Sequence, residues 1–385
     1  MKLFIDGGWR PAASGAAFDV RDPATGEYVD TASDANAADA DAAIRSAAVA
    51  FETWHETPVT ERARVLRAAA QLLCTRADDF ARTLTRELGR PLAGSKQEML
   101  RTADLFDFQA EEGKRITARM PRTGQRGEKV LITREPVGVV VAITPFNYPV
   151  ALLAFKLGSA LMAGCTLVAK PSRHAFANSG QFCYRVARVY VDKGVHDAFL
   201  ARLTEEISRL TVGNGLTDDC SLGPLVNEKI FANAMDHIAD ARAKRARIVT
   251  AGERLNGPRY DRGYFLAPTL VAGADHSMDV MTRETFGPVL GLMPISGARE
   301  GIALANATPY GLAGFVFSGS LATGLAVAER LDAGSVWVND IQRSHNNAPF
   351  GGMKMSGVGR EKDREGIEAY LETKTIYLSY DEALT

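Results

Sequence analysis

Two apolar stretches separated by a helical pattern constrain the fold of this chain most. The first stretch, Val137–Ile143, carries no charge, which is typical of a strand buried on both faces of a parallel sheet. The following segment ALLAFKLGSALMAG predicts a helix, and CTLVAKPS predicts a second short buried strand. Strand, helix and strand form one βαβ unit, so the sequence predicts the α/β fold class.

Helical patterns precede this unit, and a further α/β region follows it. Asn36 is the predicted N-cap of a first helix, Thr60 that of a second, and Gly89 ends a third. The segment TKTIYLSY predicts a terminal strand. We therefore expect two α/β lobes. The first lobe is incomplete, because a dinucleotide site normally uses two halves of this kind and only one βαβ unit is complete.

The composition is that of a globular protein with more than one subdomain. The chain has 385 residues, 46% of them hydrophobic and 24% charged, with a net charge of -1, which excludes a global attraction to nucleic acid or anionic membranes. The longest apolar run is too short to span a bilayer, and the N-terminal residues predict no signal peptide. Four cysteines without a CxxC pair favour neither a zinc site nor disulfides. We expect a cytoplasmic protein without a metal.

Cys183 is the candidate nucleophile. A thiol can add to a carbonyl carbon, and a free cysteine with a pKa of about 8.5 supplies some thiolate near neutral pH. Cys183 follows the segment FANSGQ, whose small residues and glycine are typical of an approach to a substrate channel. Cys74 lies in an amphipathic helix, Cys165 opens a buried strand and Cys220 lies in a loop, so we assign these three a structural role.

Two polar side chains follow the strands of the βαβ unit. Asn147 lies in a loop leaving the first strand, where α/β sheets place their sites, and its amide can donate a hydrogen bond to a developing oxyanion. Lys170 ends the second strand, where its ammonium group can reach a ribose or phosphate.

The segments PFNYP, CTLVAKPS, FANSGQFC and ETFGPVL occur in the order of the aldehyde dehydrogenase superfamily, and the chain resembles that superfamily over nearly its whole length. The resemblance implies that Cys183 is the nucleophile and that Asn147 completes an oxyanion hole. It also implies an NAD or NADP site, whose residues in this chain are Thr144, Pro145, Lys170, Glu284 and Phe286. The segments ATPYGLAG, GSVWVN and PFGGMKMSGVGRE match as well, and we expect them to carry structure more than chemistry.

The resemblance further implies an aldehyde-dehydrogenase-like architecture. A Rossmann-type cofactor domain would comprise residues 1–129 and 135–182, and an α/β catalytic domain residues 183–370. A β oligomerisation arm would pair residues 130–134 with residues 371–385. We expect a homodimer or homotetramer that acts on a small-molecule aldehyde and binds neither nucleic acid nor membrane.

Between Ser172 and Arg173 the chain lacks a long stretch that the resemblance implies. In the superfamily this stretch carries a Gly-rich pyrophosphate turn and an ELGG-type motif with the general-base Glu. ELGR at Glu87–Arg90 and FSGSLATG at Phe317–Gly324 are similar in letters but stand elsewhere in the order. We therefore expect a truncated cofactor domain with impaired NAD(P) binding and, without the base, a rate loss of roughly 10²–10⁴.

Three functional hypotheses follow. The first is an aldehyde dehydrogenase that oxidises an aldehyde to a carboxylic acid with NAD(P)+ through a thiohemiacetal and a thioester on Cys183, the shortened chain being weakly active or inactive. The second is a catalytically impaired homologue that acts as an oligomer partner. The third is a cofactor-free thiol esterase that uses Cys183 and Asn147.

Overall fold

The computed structural model describes residues 1–171, 179–250, 252–341 and 343–380. The strands are β1 (Leu3–Ile5), β2 (Gly8–Arg10), β3 (Ala17–Arg21), β4 (Tyr28–Ser33), β5 (Glu128–Pro136), β6 (Val139–Ile143), β7 (Thr166–Lys170), β8 (Arg188–Asp192), β9 (Arg247–Ile248), β10 (Thr269–Ala272), β11 (Val289–Ile295), β12 (Tyr310–Gly311), β13 (Ala313–Val316), β14 (Ser335–Val338), β15 (Met353–Lys354) and β16 (Leu371–Ser379). The helices are α1 (Ala37–Trp54), α2 (Val59–Thr75), α3 (Ala77–Leu88), α4 (Leu92–Glu112), α5 (Pro149–Ala163), α6 (His196–Ser208), α7 (Glu228–Ala243), α8 (Asp279–Thr282), α9 (Ala298–Asn306), α10 (Leu321–Ala328) and α11 (Asp363–Glu368). The predicted α/β fold class is confirmed, while the Ser172–Arg173 junction lies outside the described residues. No helix in these ranges combines the length and apolar character needed to cross a membrane.

The first helix begins as its sequence predicts. The Asn36 side chain accepts hydrogen bonds from the backbone N–H groups of Ala38 and Asp39 at 2.9 and 3.2 Å, and the Asp39 carboxylate accepts one from the Asn36 N–H at 3.0 Å. This capping box satisfies donors that the first turn of a helix otherwise leaves unpaired.

The predicted N-cap of the second helix is wrong by two residues, because the N-cap is Pro58 and not Thr60. Helix α2 begins at Val59, after Pro58, and no side chain caps it. The Pro58 carbonyl accepts the backbone N–H groups of Glu61 and Arg62, so the helical hydrogen bonds start before Thr60. Proline fixes φ near the helical value, which explains why the proline, and not the threonine, determines this end.

Gly89 ends α3 for two separate reasons. Its backbone is left-handed, with φ of 72°, a conformation that favours glycine at helix ends. A Cβ atom at this position would also lie 2.4 Å from Cγ of Pro224. The glycine therefore lets the chain turn sharply from α3 towards α4.

Strands β6 and β7 and helix α5 form the predicted βαβ unit. The strands are parallel, with Val139 opposite Thr166 and Ile143 opposite Lys170. The expected burial of both faces is wrong, because Val141 and Ile143 are 52% and 68% exposed. Within the described ranges this sheet has two strands, and one face of β6 packs on the core while the alternate residues face solvent.

A core between α2, α4 and α5 holds this unit in place. Leu66, Phe106 and Met162 come from these three helices and are all buried in it. Nε2 of Gln109 donates a hydrogen bond to Oγ of Ser159 at 3.0 Å, which connects α4 to α5 inside the core. The end of β6 and the start of α5 are thereby fixed relative to α4.

A second lobe is built on the sheet β8-β11-β10-β9. Strands β8, β10 and β11 run parallel and β9 is antiparallel. Leu270 and Leu292 are fully buried on one side of this sheet, and Met281 is buried in a second cluster with Val289. The loop between α8 and β11 carries Glu284–Gly287, so this lobe positions the second group of predicted cofactor residues.

Strands β5 and β16 form a long antiparallel ribbon. Nine residue pairs are in register, from Glu128 opposite Ser379 to Pro136 opposite Leu371. Tyr377 on this ribbon is 78% exposed. The oligomerisation role that the resemblance implies for the ribbon stays a prediction.

A buried ion pair connects the N-terminal helices to the start of α5. Nη1 of Arg90 lies 2.5 Å from Oε2 of Glu98, and both side chains are almost fully buried. The other carboxylate oxygen of Glu98 accepts the backbone N–H groups of Val150 and Ala151 at 3.1 and 3.0 Å. The Arg90 guanidinium also lies 4.3 Å from the ring centre of Tyr148. Arg90 and Glu98 therefore fix the α5 end of the loop between β6 and α5.

We predict that Glu98→Gln lowers the free energy of unfolding by about 3–5 kcal/mol, because it leaves the Arg90 cation buried without a counter-charge. Urea denaturation followed by circular dichroism measures this loss. The exposed pair Glu61–Arg64 supplies the control: Glu61→Gln should change the stability by less than about 0.5 kcal/mol. Equal effects of the two variants would contradict the structural role of Glu98.

Candidate active site

Asn147 lies in the loop between β6 and α5, as the sequence predicts, and is 2% exposed. At the start of this loop the backbone N–H of Thr144 donates to the Lys170 carbonyl at 3.3 Å. Thr144 is buried, whereas Pro145 and Lys170 are exposed. The ends of β6 and β7 thus bring Thr144, Pro145 and Lys170 together next to Asn147.

The residues on either side of Asn147 contact two other predicted segments. Phe146 packs edge-on against Phe286, with ring centres 5.5 Å apart. Tyr148 packs against Phe182, with ring centres 5.4 Å apart. The Asn147 loop therefore lies between the residue before Cys183 and the loop of Glu284 and Phe286.

The chain leading to Cys183 is held by a close backbone approach. Gly180 has φ of 71°, and a Cβ atom there would lie 2.6 Å from the backbone of Gly287. Oε1 of Gln181 accepts the Val226 N–H at 3.1 Å, and Ser179 donates to the Gly223 carbonyl at 2.7 Å. Phe176 and Asn178 of the same predicted motif lie outside the described residues.

Cys183 itself lies in a turn and is half-buried. Burial raises the pKa of its thiol to about 11, and the nearby carboxylates of Glu284 and Glu361 also raise it. Hydrogen bonds from the backbone N–H groups of Tyr184 and Cys183 lower the pKa but do not compensate for burial. The thiol is therefore protonated at neutral pH in this chain.

The loop of Glu284 and Phe286 is fixed by polar contacts with α7. Nδ2 of Asn233 donates to the backbone carbonyls of Glu284 and Thr285 at 3.2 and 2.8 Å. The Thr285 hydroxyl lies 2.7 Å from Nδ1 of His237. Phe286 adopts φ of 53°, a backbone conformation that costs energy in a residue with a side chain. The fixed loop presents the Phe286 ring to Phe146 and leaves Glu284 exposed.

Two segments are similar in letters to superfamily motifs but have other roles in this structure. They are Glu87–Arg90 and Phe317–Gly324. Burial raises the pKa of Glu87 to about 7, and its charged neighbours are Asp30, Arg86 and the N-terminus, away from Cys183. The segment after β13 leads into α10, where Ser320 caps the helix. Asn339 pins that turn, accepting the Ser318 N–H at 2.8 Å and donating to the Ser318 carbonyl at 3.0 Å.

Comparison with known proteins decides the family. The model of the aldehyde dehydrogenase family matches residues 9–175 and 173–376. The chain belongs to the aldehyde dehydrogenase family.

Three relatives illustrate the range of this family. The mitochondrial succinate-semialdehyde dehydrogenase of Rattus norvegicus is 31% identical over 473 aligned positions, covering 97% of this chain and 89% of the relative. The glutarate-semialdehyde dehydrogenase of Pseudomonas aeruginosa is also 31% identical, covering 98% of this chain and 97% of the relative. The crystal structure of Staphylococcus aureus betaine aldehyde dehydrogenase in complex with NAD+ superposes with a TM-score of 0.94 at 26% identity, covering 100% of this chain and 96% of that one.

The candidate cofactor residues of this aldehyde dehydrogenase family member fit the ribose groups of a dinucleotide better than its pyrophosphate. Exposed Lys170 and Glu284 can bind ribose hydroxyls, and Phe286 packs on Phe146 of the Asn147 loop. A pyrophosphate would need free backbone N–H groups at a helix N-terminus. The first turn of α5 offers none at Val150 and Ala151, because the Glu98 carboxylate already accepts both.

Sequence reasoning missed an aromatic cluster beside Cys183. The ring centre of Tyr184 lies 4.1 Å from that of Phe182, 5.4 Å from that of Phe350 and 6.0 Å from that of Trp337. Phe350 and Trp337 belong to the segments PFGG and GSVWVN, which we expected to carry structure more than chemistry. Their hydrophobic character was visible in the sequence, but their convergence on Tyr184 depends on the fold.

We predict that alkylation of Cys183 by iodoacetamide accelerates about tenfold per pH unit between pH 7 and 10, because only the thiolate reacts and the pKa of this thiol is raised to about 11. Peptide mass spectrometry after timed labelling measures the rate. Cys74, exposed on α2, is the internal control for the activity of the reagent in each sample. A plateau of the Cys183 rate below pH 8 would contradict the burial described above.

Proposed function

We propose that this chain is an aldehyde dehydrogenase in which Cys183 forms the covalent bond to the substrate and Asn147 stabilises the resulting oxyanion. The observation that carries the proposal is the convergence of three loops: Phe182 before Cys183 packs on Tyr148, and Phe286 packs on Phe146. Asn147 lies between these two contacts. Membership of the family supports aldehyde oxidation as the reaction.

In the proposed reaction the Cys183 thiol loses its proton to solvent water, and its sulfur bonds to the aldehyde carbon while the carbonyl electrons move to oxygen. The Asn147 amide donates a hydrogen bond to that oxygen, a contribution typically worth about 3 kcal/mol. NAD(P)+, when bound, supplies the acceptor for the hydride that leaves the same carbon, and a thioester forms on Cys183. Water then adds to the thioester, the C–S bond breaks, the thiol regains a proton and the carboxylic acid leaves.

Residues of both lobes would hold the cofactor. Thr144, Pro145 and Lys170 lie at the ends of β6 and β7, and Glu284 and Phe286 lie on the facing loop. We propose that binding is weak, because the Glu98 carboxylate occupies the N–H groups at the start of α5 and would repel a pyrophosphate. The structure leaves NAD and NADP open as alternatives.

We also propose that the stretch absent between Ser172 and Arg173 accounts for the weak site. Two observations support this. The family model matches in two segments that meet at residues 173–175. The alignment with the rat relative runs over 473 positions, more than the 385 residues of this chain, so some positions of the alignment have no counterpart here.

The exposed surfaces favour a second candidate function, that of an oligomer partner with impaired catalysis. Val141 and Ile143 on β6 and Tyr377 on the β5–β16 ribbon are all more than half exposed. Exposed large hydrophobic side chains at these two places are compatible with interaction surfaces. Either candidate is compatible with the predicted dimer or tetramer and with the expected cytoplasmic location. A cofactor-free thiol esterase is the least favoured alternative, because membership of the family supports aldehyde oxidation.

We predict that the purified chain forms NADH or NADPH from an aldehyde at least about 100-fold more slowly than its complete relatives, because the general base is lost. Cys183→Ala should abolish the residual rate, and Asn147→Ala should lower it about 100-fold. Absorbance at the dihydronicotinamide band measures the rate across a panel of aldehydes. Cys74→Ala, on the exposed face of α2, is the matched control and should leave the rate unchanged. Residual activity that survives Cys183→Ala would overturn the proposed nucleophile.

We further predict that Tyr377→Asp on the ribbon shifts the oligomer towards monomer, because a charge replaces an apolar side chain at the proposed interface. Sedimentation velocity measures the distribution of species. Val49, equally exposed on α1, gives the control variant Val49→Asp, which should sediment as the unmodified chain does. An unmodified chain that is monomeric at micromolar concentration would refute the interface.

A further inference from the structure

Lys362 is held in an unusual position next to the aromatic cluster. It immediately precedes α11, its φ is 65°, and its side chain is 7% exposed. A left-handed backbone is costly for any residue except glycine, and lysine is among the residues least often buried. Both the left-handed backbone and the burial of this ammonium group therefore cost free energy in the folded chain.

The buried ammonium group has polar and aromatic neighbours, and the Glu361 carboxylate acts on it electrostatically without a direct ion pair among the described residues. Nζ of Lys362 donates to the Ser344 hydroxyl at 2.6 Å and lies 5.1 Å from the ring centre of Phe155. The neighbouring carboxylate of Glu361 is engaged in an ion pair with Lys156. Burial and the positive charge of Arg101 together lower the pKa of Lys362 to about 8, although the Glu361 carboxylate raises it. An anion bound here would raise the pKa of Lys362, because its charge would offset both the burial and the repulsion from Arg101.

This cation is connected to Cys183 through Tyr184. Ser344 forms a side-chain hydrogen bond with Tyr184, and Arg101 also acts on the Tyr184 hydroxyl. Phe350 packs on Tyr184 and on Phe155, with ring centres 5.4 and 6.4 Å away. Ser344 is exposed, so the group around Lys362 is open to solvent on one side.

We propose that Lys362, with Ser344 and Arg101, binds a carboxylate at the far end of the substrate while its aldehyde carbon reaches Cys183. The substrate class is therefore a short aldehyde with a carboxylate a few carbons away. Lys362 is the specificity-determining residue, since it is the cation buried at this position. The inference rests on the proposed function, because it needs Cys183 as the reacting end of the site.

The test is isothermal titration of the whole chain with glutarate, a five-carbon dicarboxylate, which requires no cofactor and no turnover. We expect glutarate to bind and glutaramide, its neutral analogue, to bind at least tenfold more weakly. Lys362→Met should raise the glutarate dissociation constant at least about tenfold, the loss typical of a charge-assisted contact. Lys362→Arg should restore part of the affinity.

Two further variants separate binding from folding. Lys362→Gly removes the charge and relieves the left-handed backbone, so it should keep the thermal stability and still lose glutarate binding. Lys354→Met removes another lysine with a positive φ, whose ammonium pairs with Asp332, and should bind glutarate as the unmodified chain does. Absence of glutarate binding, equal affinity for glutaramide, or unchanged affinity in both Lys362→Met and Lys362→Gly would each overturn the proposal.

Protection of Cys183 from iodoacetamide at pH 9 then locates the bound glutarate. We expect saturating glutarate to slow labelling of Cys183 at least threefold and to leave Cys74 unaffected. Labelling of Cys183 that glutarate does not slow would overturn the placement of the carboxylate site beside it. If no aldehyde is oxidised but binding still depends on Lys362, the proposed reaction fails and the carboxylate site stands. If turnover depends on Cys183 but glutarate does not bind, the proposed reaction stands and the carboxylate site fails.

Discussion

The ion pair of Arg90 and Glu98 is the contact on which the arrangement of the site depends. Its carboxylate occupies the first N–H groups of α5, and its guanidinium lies on the Tyr148 ring. Both contacts lie on the α5 side of Asn147 and fix that end of its loop, and Tyr148 in turn packs against Phe182 beside Cys183. Two buried charges cost desolvation energy that only good geometry and additional hydrogen bonds offset. Here the same hydrogen bonds that offset this cost fix the geometry of the reacting groups.

Local signals in the sequence were enough to predict most elements, and the failures have physical causes. Asn36 and Gly89 determine helix ends through their own side chain or backbone, so a short window of sequence contains the information. Thr60 failed because the neighbouring Pro58 competed with it. The burial of β6 failed for a different reason: Val141 and Ile143 have the composition of buried residues, but burial depends on which other elements cover the strand.

The sequence likewise predicted some features of the candidate site and not others. The family resemblance grouped Cys183, Asn147 and the residues around Glu284, and the chemistry of a thiol and an amide independently favoured the first two. No pattern of letters could give the raised pKa of the thiol, which results from burial by distant segments. Lys362 was missed because a lysine in a glycine-rich segment normally indicates a solvated turn. Its burial follows from contacts with Ser344 and Phe155, which are distant in sequence.

The contact of Gly180 with Gly287 has a consequence for how the two lobes can move. Since the two backbones meet without intervening side chains, there is no flexible layer to absorb a displacement of either loop. A shift of the loop bearing Glu284 would therefore be transmitted directly to the turn of Cys183. The position of the Glu284 loop and that of the Cys183 sulfur are thus mechanically linked at this backbone contact.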